Sequence, residues 1–469
     1  MRNLYCNVEA LRKQVFAAVA KLAYEGGDYC SRMEKLPYEI IPGEVGTYRE
    51  SIFLERAIVG ERIRLAMGLP LRDVTEENMI SDGVEASAIS EKYYDPPLIN
   101  IIKYACHACP DTHYEVTQAC QGCLAKHCYQ SCPKGAIELE HGRARIDQTK
   151  CIKCGRCKEA CSYQAIIKFL RPCQEACGMN AIGKDQYGRA DIDHEKCVNC
   201  GQCLVNCPFG AIVDKGQIFQ LIHAIKKGEK VIAIIAPAFW GQFGEKVTPG
   251  QILTAMKQLG FEGLEEVAVG ADLCAVEEAE EFMEHVPARQ PFMATSCCPA
   301  WSVMAKKLFP QQAECISMAL TPMVLTARLI KQKEPDCKIV FVGPCVAKKD
   351  EADRYEGYVD AVLTFEELSG MFEEKNIVPE QKLDHTEKSK TRVFPTTGGI
   401  LKSMTLDYKN YTYIAVDGTE NCITALKDIA DGKLHRCFIE MSACTGSCIG
   451  GPVMEKQHKS QIKGYIDVT

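Results

Sequence analysis

Two adjacent cysteines stand in Thr295-Ser296-Cys297-Cys298-Pro299-Ala300-Trp301, after a run that reads as a buried strand and before a helix-starting proline. Such a turn can aim one thiolate at a metal and leave its neighbour facing a reaction. Two further stretches complete the set. They are Gly343-Pro344-Cys345-Val346-Ala347-Lys348-Lys349-Asp350-Glu351 and Glu440-Met441-Ser442-Ala443-Cys444-Thr445-Gly446-Ser447-Cys448-Ile449-Gly450-Gly451-Pro452.

Upstream, cysteines come in runs. Cys151-x2-Cys154-x2-Cys157-x3-Cys161 and Cys197-x2-Cys200-x2-Cys203-x3-Cys207-Pro208 have the spacing of bacterial ferredoxins, whose short turns wrap a 4Fe-4S cubane. Cys120-x2-Cys123-x4-Cys128-x3-Cys132-Pro133 is a variant with a longer middle gap. The pattern Cys-x3-Cys-x3-Ala-Ile recurs at Cys128, Cys157, Cys173 and Cys203, an internal repeat of half-ferredoxin units. Three full runs supply twelve cysteines, and Cys106, Cys109, Cys173 and Cys177 bring the number to sixteen, enough for four accessory 4Fe-4S clusters. The alternative is three clusters, with Cys106-His107-Ala108-Cys109 as a stray CxxC or a small zinc knuckle. The spacings are far from those of zinc ribbons.

Composition narrows the classes. The chain carries 28 cysteines in 469 residues and lacks a secretory leader, because Glu9, Arg12 and Lys13 break the first apolar stretch. Reduced thiolate ligands in a cytoplasmic protein follow, rather than disulfides. Only ten histidines accompany them, which favours iron-sulfur over zinc. The net charge of -7, with charges interspersed, argues against nucleic-acid binding. No apolar run reaches the roughly 18 residues that a membrane span needs.

The elements that position these motifs divide into three expected regions. Residues 1–100 read as a helical docking module with Cys6 and Cys30 as ordinary thiols. One helix covers Val8 to Leu22 and stops at Gly26-Gly27, and a second starts at a capping box Thr47-Tyr48-Arg49-Glu50 and runs to Met67. Residues 101–215 form an α+β ferredoxin-like domain. Residues 216–469 alternate strand and helix. Strand candidates are Val231–Pro237, Glu266–Val269, Pro291–Ala294, Lys338–Val342, Val359–Leu363, Tyr413–Val416 and Cys437–Glu440, with a helix capped by Thr248 and opened by Pro249. Continuous apolar strands separated by helices give an α/β catalytic domain with parallel sheets. The three cysteine motifs then follow the carboxyl ends of strands, where such sheets place their sites.

Together the three motifs resemble the signatures of the FeFe hydrogenases in order, spacing and flanking residues. The resemblance covers about 216–469 as catalytic domain and 101–215 as ferredoxin module, and leaves residues 1–100 unexplained. It implies reversible interconversion of dihydrogen with protons and electrons, proton reduction in an anaerobe being the favoured direction. Ferredoxin or a similar low-potential carrier would be the redox partner, and maturation proteins would insert the cofactor. That cofactor, the H-cluster, joins a 4Fe-4S cubane to a two-iron subsite with carbon monoxide, cyanide and a dithiolate. By motif position its ligands are Cys298, Cys345, Cys444 and Cys448, with Cys448 bridging the two parts.

The resemblance further implies that Cys297 is the proton donor, with Ser317, Glu278 and Glu281 continuing the relay. Read without it, the acidic run 277–281 is equally a solvated helix face. Lys348 matches the lysine that contacts one cyanide. Pro237 and Ala238 match a segment near the other, and Gly398-Gly399 a turn lining the pocket. Lys349 reads as a surface neighbour and Trp301 as core. Gly343, Ser442 and Met323 depart from better-studied members and resemble the family's second phylogenetic group. Rival readings are a hydrogen sensor and an iron-sulfur assembly scaffold related to the hydrogenases.

Overall fold

The computed structural model describes residues 7–93, 96–244, 247–379, 390–432, 434–454 and 461–468. Its catalytic region holds two parallel sheets. The strands are β1 (Val231–Ile235), β2 (Gly263–Glu266), β3 (Phe292–Ala294), β4 (Lys338–Gly343), β5 (Ala361–Thr364), β6 (Thr412–Asp417) and β7 (Cys437–Ser442). The first sheet runs β2-β1-β4-β5 and the second β3-β7-β6. Every residue of β1, β3, β5 and β7 is buried, which is why these runs are largely apolar and not alternating, with Thr364, Glu440 and Ser442 as the polar exceptions. The helix Pro249–Leu259 starts as expected, with Thr248 and Gln251 in a reciprocal capping box. The expected strand Glu266–Val269 is displaced. Pairing with β1 ends at Glu266, and Ala268 and Val269 open the helix Ala268–His285, where Val269 is half exposed.

The cysteine-rich region is two ferredoxin units, one inside the other. Strand Ile99–Ile101 pairs antiparallel with Ile212–Asp214, and within that span His113–Val116 pairs with Ile166–Phe169. The enclosing unit touches the catalytic loops through Asn199 and Cys200 and is called inner, and the unit inserted in it is called outer; each has its own central hairpin, Ile137–Glu140 with Arg143–Ile146 in the outer unit and Ile182–Lys184 with Ala190–Ile192 in the inner. The outer unit is thus an insertion between Cys109 and Cys173. This explains why no CxxC directly precedes Cys173. The one that belongs there, Cys106/Cys109, has been carried 64 residues upstream of it.

The N-terminal helices Asn7–Glu25, Tyr29–Ile40 and Ile52–Ala66 pack onto the first catalytic sheet. Val15, Val19 and Leu22 share one core with Ile234, Val342, Leu363 and Leu368. Asn7–Glu25 lies so close to Phe365–Glu374 that a Cβ on Gly370 would stand 2.6 Å from that of Phe16. Helix Ile52–Ala66 begins later than the expected capping box. Ser51 is the cap, accepting from the Leu54 amide, while Glu55 gathers the amides of Tyr48 and Arg49. Helix Tyr29–Ile40 was hidden in the sequence by its interior Pro37. Cys30 faces Glu85, and Cys6 lies outside the described residues. No helix among the described residues is long and apolar enough to cross a membrane.

Lys349, expected at the surface, is fully buried. Its ammonium donates to Asp214 at 2.8 Å, to Glu367 at 3.0 Å and to the Lys215 carbonyl at 2.8 Å. The lysine therefore bolts the last strand of the inner ferredoxin unit to the helix after β5, and its three donors are all used.

Candidate active site and cluster-binding loops

The four cysteines expected at the catalytic centre hang from the carboxyl ends of β3, β4 and β7. The two sheets meet there, so loops separated by up to 150 residues converge. Burial raises the Cys444 thiol well above its ordinary value, and the sulfurs of Cys298, Cys345 and Cys448 beside it push the same way. Burial likewise takes Cys345 and Cys448 up to about 12. Cys448 keeps accessible surface, with Cys298 and Cys345 its first charged neighbours. Four sheltered soft donors fit an iron-sulfur cubane, and iron must displace their protons on binding.

Cys297 stands beside this group, with Cys298 and Cys448 among its neighbours. Burial raises its thiol well above the ordinary value, Glu278 being its first charged neighbour. Glu278 is fully buried, not on a solvated face, and burial lifts its carboxyl to about 7. One of its oxygens accepts from the Ser296 amide at 2.9 Å and hydroxyl at 3.3 Å; the other, Oε2, has no partner. A buried orphan acceptor beside a thiol is the arrangement a proton donor requires. Ser317 donates to Glu281 at 2.6 Å, not to Glu278. His285, one helical turn beyond Glu281 and 4.0 Å from it, extends the line toward the surface and went unread in the sequence.

Lys348 is buried, with its ammonium 3.3 Å from both the Cys297 carbonyl and Thr321 Oγ1 and paired with Glu351. Glu351 is the counter-ion that lets a charge sit at this depth. Pro237 and Ala238 form a buried 3-10 turn after β1, next to the end of β4. Gly398 takes φ +75°, and its amide donates to Glu440 at 2.8 Å; the Ile400 and Leu401 amides donate to the same carboxylate. Glu440 thus fixes the glycine turn against the Cys444–Cys448 loop. Burial raises it to about 7 against the pull of those amides. At Gly343 a Cβ would stand 2.5 Å from the Phe341 ring, so Phe341 occupies the volume a larger side chain would need. Ser442 bonds Ser447 at 2.9 Å. Trp301 is core, donating to the Thr295 carbonyl at 2.8 Å.

The accessory cysteines fall into four groups. Cys106, Cys109, Cys173 and Cys207 line one cleft. Burial raises Cys128, with Cys161, Cys123 and Cys120 adding to the effect. Cys151 and Cys154 do the same for Cys157, and Cys132 packs in their small core. Burial lifts Cys203 well above its ordinary value, with Cys200, Cys197 and Cys177 around it. In each unit the last cysteine of one run thus joins the other run's group. The repeated alanine has a role here. The amides of Ala136, Ala165 and Ala181 donate to Cys132, Cys161 and Cys177 at 3.3, 3.4 and 3.3 Å. Among the described residues no three Cys, His, Asp or Glu side chains close on a single-ion site.

The group of Cys177, Cys197, Cys200 and Cys203 abuts the catalytic loops. Cys345 is among the neighbours of Cys200, and Asn199 donates to Asp350 at 3.2 Å. Residues 229–452 match the model of the iron-only hydrogenase large subunit, C-terminal domain. Models of a 4Fe-4S dicluster domain and a 4Fe-4S binding domain match residues 112–162 and 189–212.

The chain belongs to the iron-only hydrogenase family. It is 30% identical to iron hydrogenase 1 of Clostridium pasteurianum over 68% of its own length and 66% of that protein. It therefore spans about two thirds of that relative. A cytosolic Fe-S cluster assembly factor, NAR1 of Candida dubliniensis, is 28% identical over 33% of this chain and 30% of its own. Among solved structures, the [FeFe]-hydrogenase HydA1 of Chlamydomonas reinhardtii aligns with a TM-score of 0.43 at 21% identity, covering 51% of this chain and 84% of that one. The dicluster match coincides with the outer ferredoxin unit, and the hydrogenase match takes in every strand of both parallel sheets.

Proposed function

We propose that this iron-only hydrogenase interconverts dihydrogen with two protons and two electrons, and that a low-potential carrier exchanges those electrons with its accessory clusters. The observation that carries the reading is the second thiol. Cys297 stands beside four convergent cysteines, between the buried ammonium of Lys348 and the unpartnered oxygen of Glu278.

Cys298, Cys345, Cys444 and Cys448 would hold the H-cluster. When bound, that cofactor supplies the two-electron chemistry on hydrogen. The rest is done by the chain. Cys297 carries a proton between the pocket and Glu278, whose carboxyl near 7 can take it up and release it at neutral pH. Glu281, on the same face of the helix Ala268–His285 as Glu278, and Ser317, which donates to it, continue the path. Lys348 supplies positive charge for anionic ligands, and the Gly398 and Pro237 turns bring backbone against the pocket. Each of the four accessory cysteine groups would hold a 4Fe-4S cluster, which would supply one-electron transfer between the carrier and the catalytic site.

The second reading is an iron-sulfur assembly scaffold, which the NAR1 relative brings forward. A scaffold has no use for a proton-donating thiol or a buried cation, and this chain retains both. The test is hydrogen evolution by maturated protein with a reduced viologen. Activity that needs Cys297 supports the enzyme, and inert protein with all clusters in place supports the scaffold.

A further inference from the structure

The two ferredoxin units are repeats, so each position of one can be compared with its counterpart in the other. In the inner unit, Val198 follows Cys197 and Met179 stands two after Cys177. They are 5% and 7% exposed and share a core with Ala300, Trp301 and Met304 of the catalytic region. Gln202, before Cys203, reaches Cys444. These residues form the face by which the inner unit packs against its redox partner inside the chain.

The same positions of the outer unit are Ile152, Lys134 and Arg156. Ile152 is 54% exposed, Lys134 and Arg156 are exposed, and Cys154 at their centre is exposed as well. The neighbouring chain reaches only the edge of this face, where Lys153 lines an open cleft with Glu175, Cys177 and Glu420, and it leaves these four residues exposed. The face also carries two cations where its counterpart is uncharged. Residues 118–164 hold eight Lys or Arg and four Asp or Glu, a net +4, within a chain of net -7, which leaves -11 on the remainder. Neither Lys134 nor Arg156 has an ion-pair partner among the described residues, in contrast to Arg145 and Lys150 on the neighbouring hairpin.

We propose that the Ile152 face of the outer unit docks an acidic one-electron carrier protein. It is the face the fold uses for an internal electron partner, repeated where no internal partner is. An apolar centre rimmed with cations gives contact plus electrostatic steering toward a negatively charged surface. The exposed Cys154 brings the group of Cys132, Cys151, Cys154 and Cys157 to that surface. The proposal rests on the electron-transfer part of the function above, and not on hydrogen chemistry.

The test mixes oxidised, cluster-loaded full chain with a reduced acidic two-cluster ferredoxin in a stopped-flow cell and follows bleaching of the clusters. The variant Lys134→Glu/Arg156→Glu should lose about tenfold or more in second-order rate at low salt, and the gap should close as ionic strength rises past about 0.1 M. Ile152→Ser should slow the reaction without altering its salt dependence. Reduction by methyl viologen, a cation, should not slow in either variant. The idea is overturned if the charge-reversed protein accepts electrons from ferredoxin at the wild-type rate, or if viologen slows equally. It is also overturned if sedimentation shows this face buried in a dimer that the variants dissolve. Since the readout is cluster reduction, it stands even if maturated protein evolves no hydrogen.

Discussion

The side-chain amide of Gln202 donates to the sulfur of Cys444 at 3.5 Å. One residue thus joins the accessory loop Cys197–Cys203 to a candidate catalytic ligand. A donor on a thiolate stabilises the more negative, reduced cluster. Gln202→Leu should lower the potential of the catalytic cubane by roughly 40 mV, the equivalent of about 1 kcal/mol for one electron. An EPR-monitored redox titration reads this directly; an unchanged potential would mean that the contact is only packing.

Cys297→Ala should reduce hydrogen evolution by at least about 100-fold, the scale of a lost general acid. Glu278→Gln, which keeps shape but cannot carry a proton, should fall by a similar factor. Both variants should keep wild-type EPR signals from the accessory clusters. Loss of those signals would assign the two residues to folding instead.

The adjacent lysines should separate cleanly. Lys349→Ala leaves Asp214 and Glu367 as uncompensated buried carboxylates and should cost about 3–5 kcal/mol of stability. Lys348→Met should fold, because Glu351 can be neutralised, but should fail to retain the two-iron subsite. Denaturant midpoints and iron content after maturation tell the two apart.

Glu366 gives a pH prediction far from the clusters. Burial raises its carboxyl to about 7, and Arg12 does not reverse this although the two groups stand 2.6 Å apart. Neither facing atom has hydrogen-bond alignment, which explains the weak rescue. Because the folded value lies above the unfolded one, this group's stabilisation is complete below pH 4.5 and is lost as pH rises through about 7. The loss is about 3 kcal/mol at most. Glu366→Gln should flatten the slope of stability between pH 5 and 8, whatever constant offset comes from stripping Arg12 of its partner. Anaerobic urea midpoints across that range measure it, and an unaltered slope would contradict it.

Much of the site was legible because cysteine spacing is a covalent record of cluster geometry. The three catalytic loops follow strands that continuous apolar runs announce, and β1 and β4 fall within two residues of their expected ends. Burial was harder to read. Lys349 and Glu278 lie in charged runs that look solvated, and only tertiary packing takes one residue of each run inside. The nesting of the ferredoxin units was hidden because a local pattern cannot show that Cys106 and Cys109 close on Cys173 across an inserted domain. Contacts such as Gln202 with Cys444 join residues 242 apart, and nothing in either motif signals the other.

The most direct test of the central claim is the infrared spectrum of anaerobically maturated protein. If sulfurs from the loops after β3, β4 and β7 hold the cofactor with Cys297 and Lys348 around its two-iron part, the spectrum will show bands of bound carbon monoxide and cyanide. Lys348→Met should remove or shift them. A protein with its accessory clusters intact and no such bands after maturation would contradict the account.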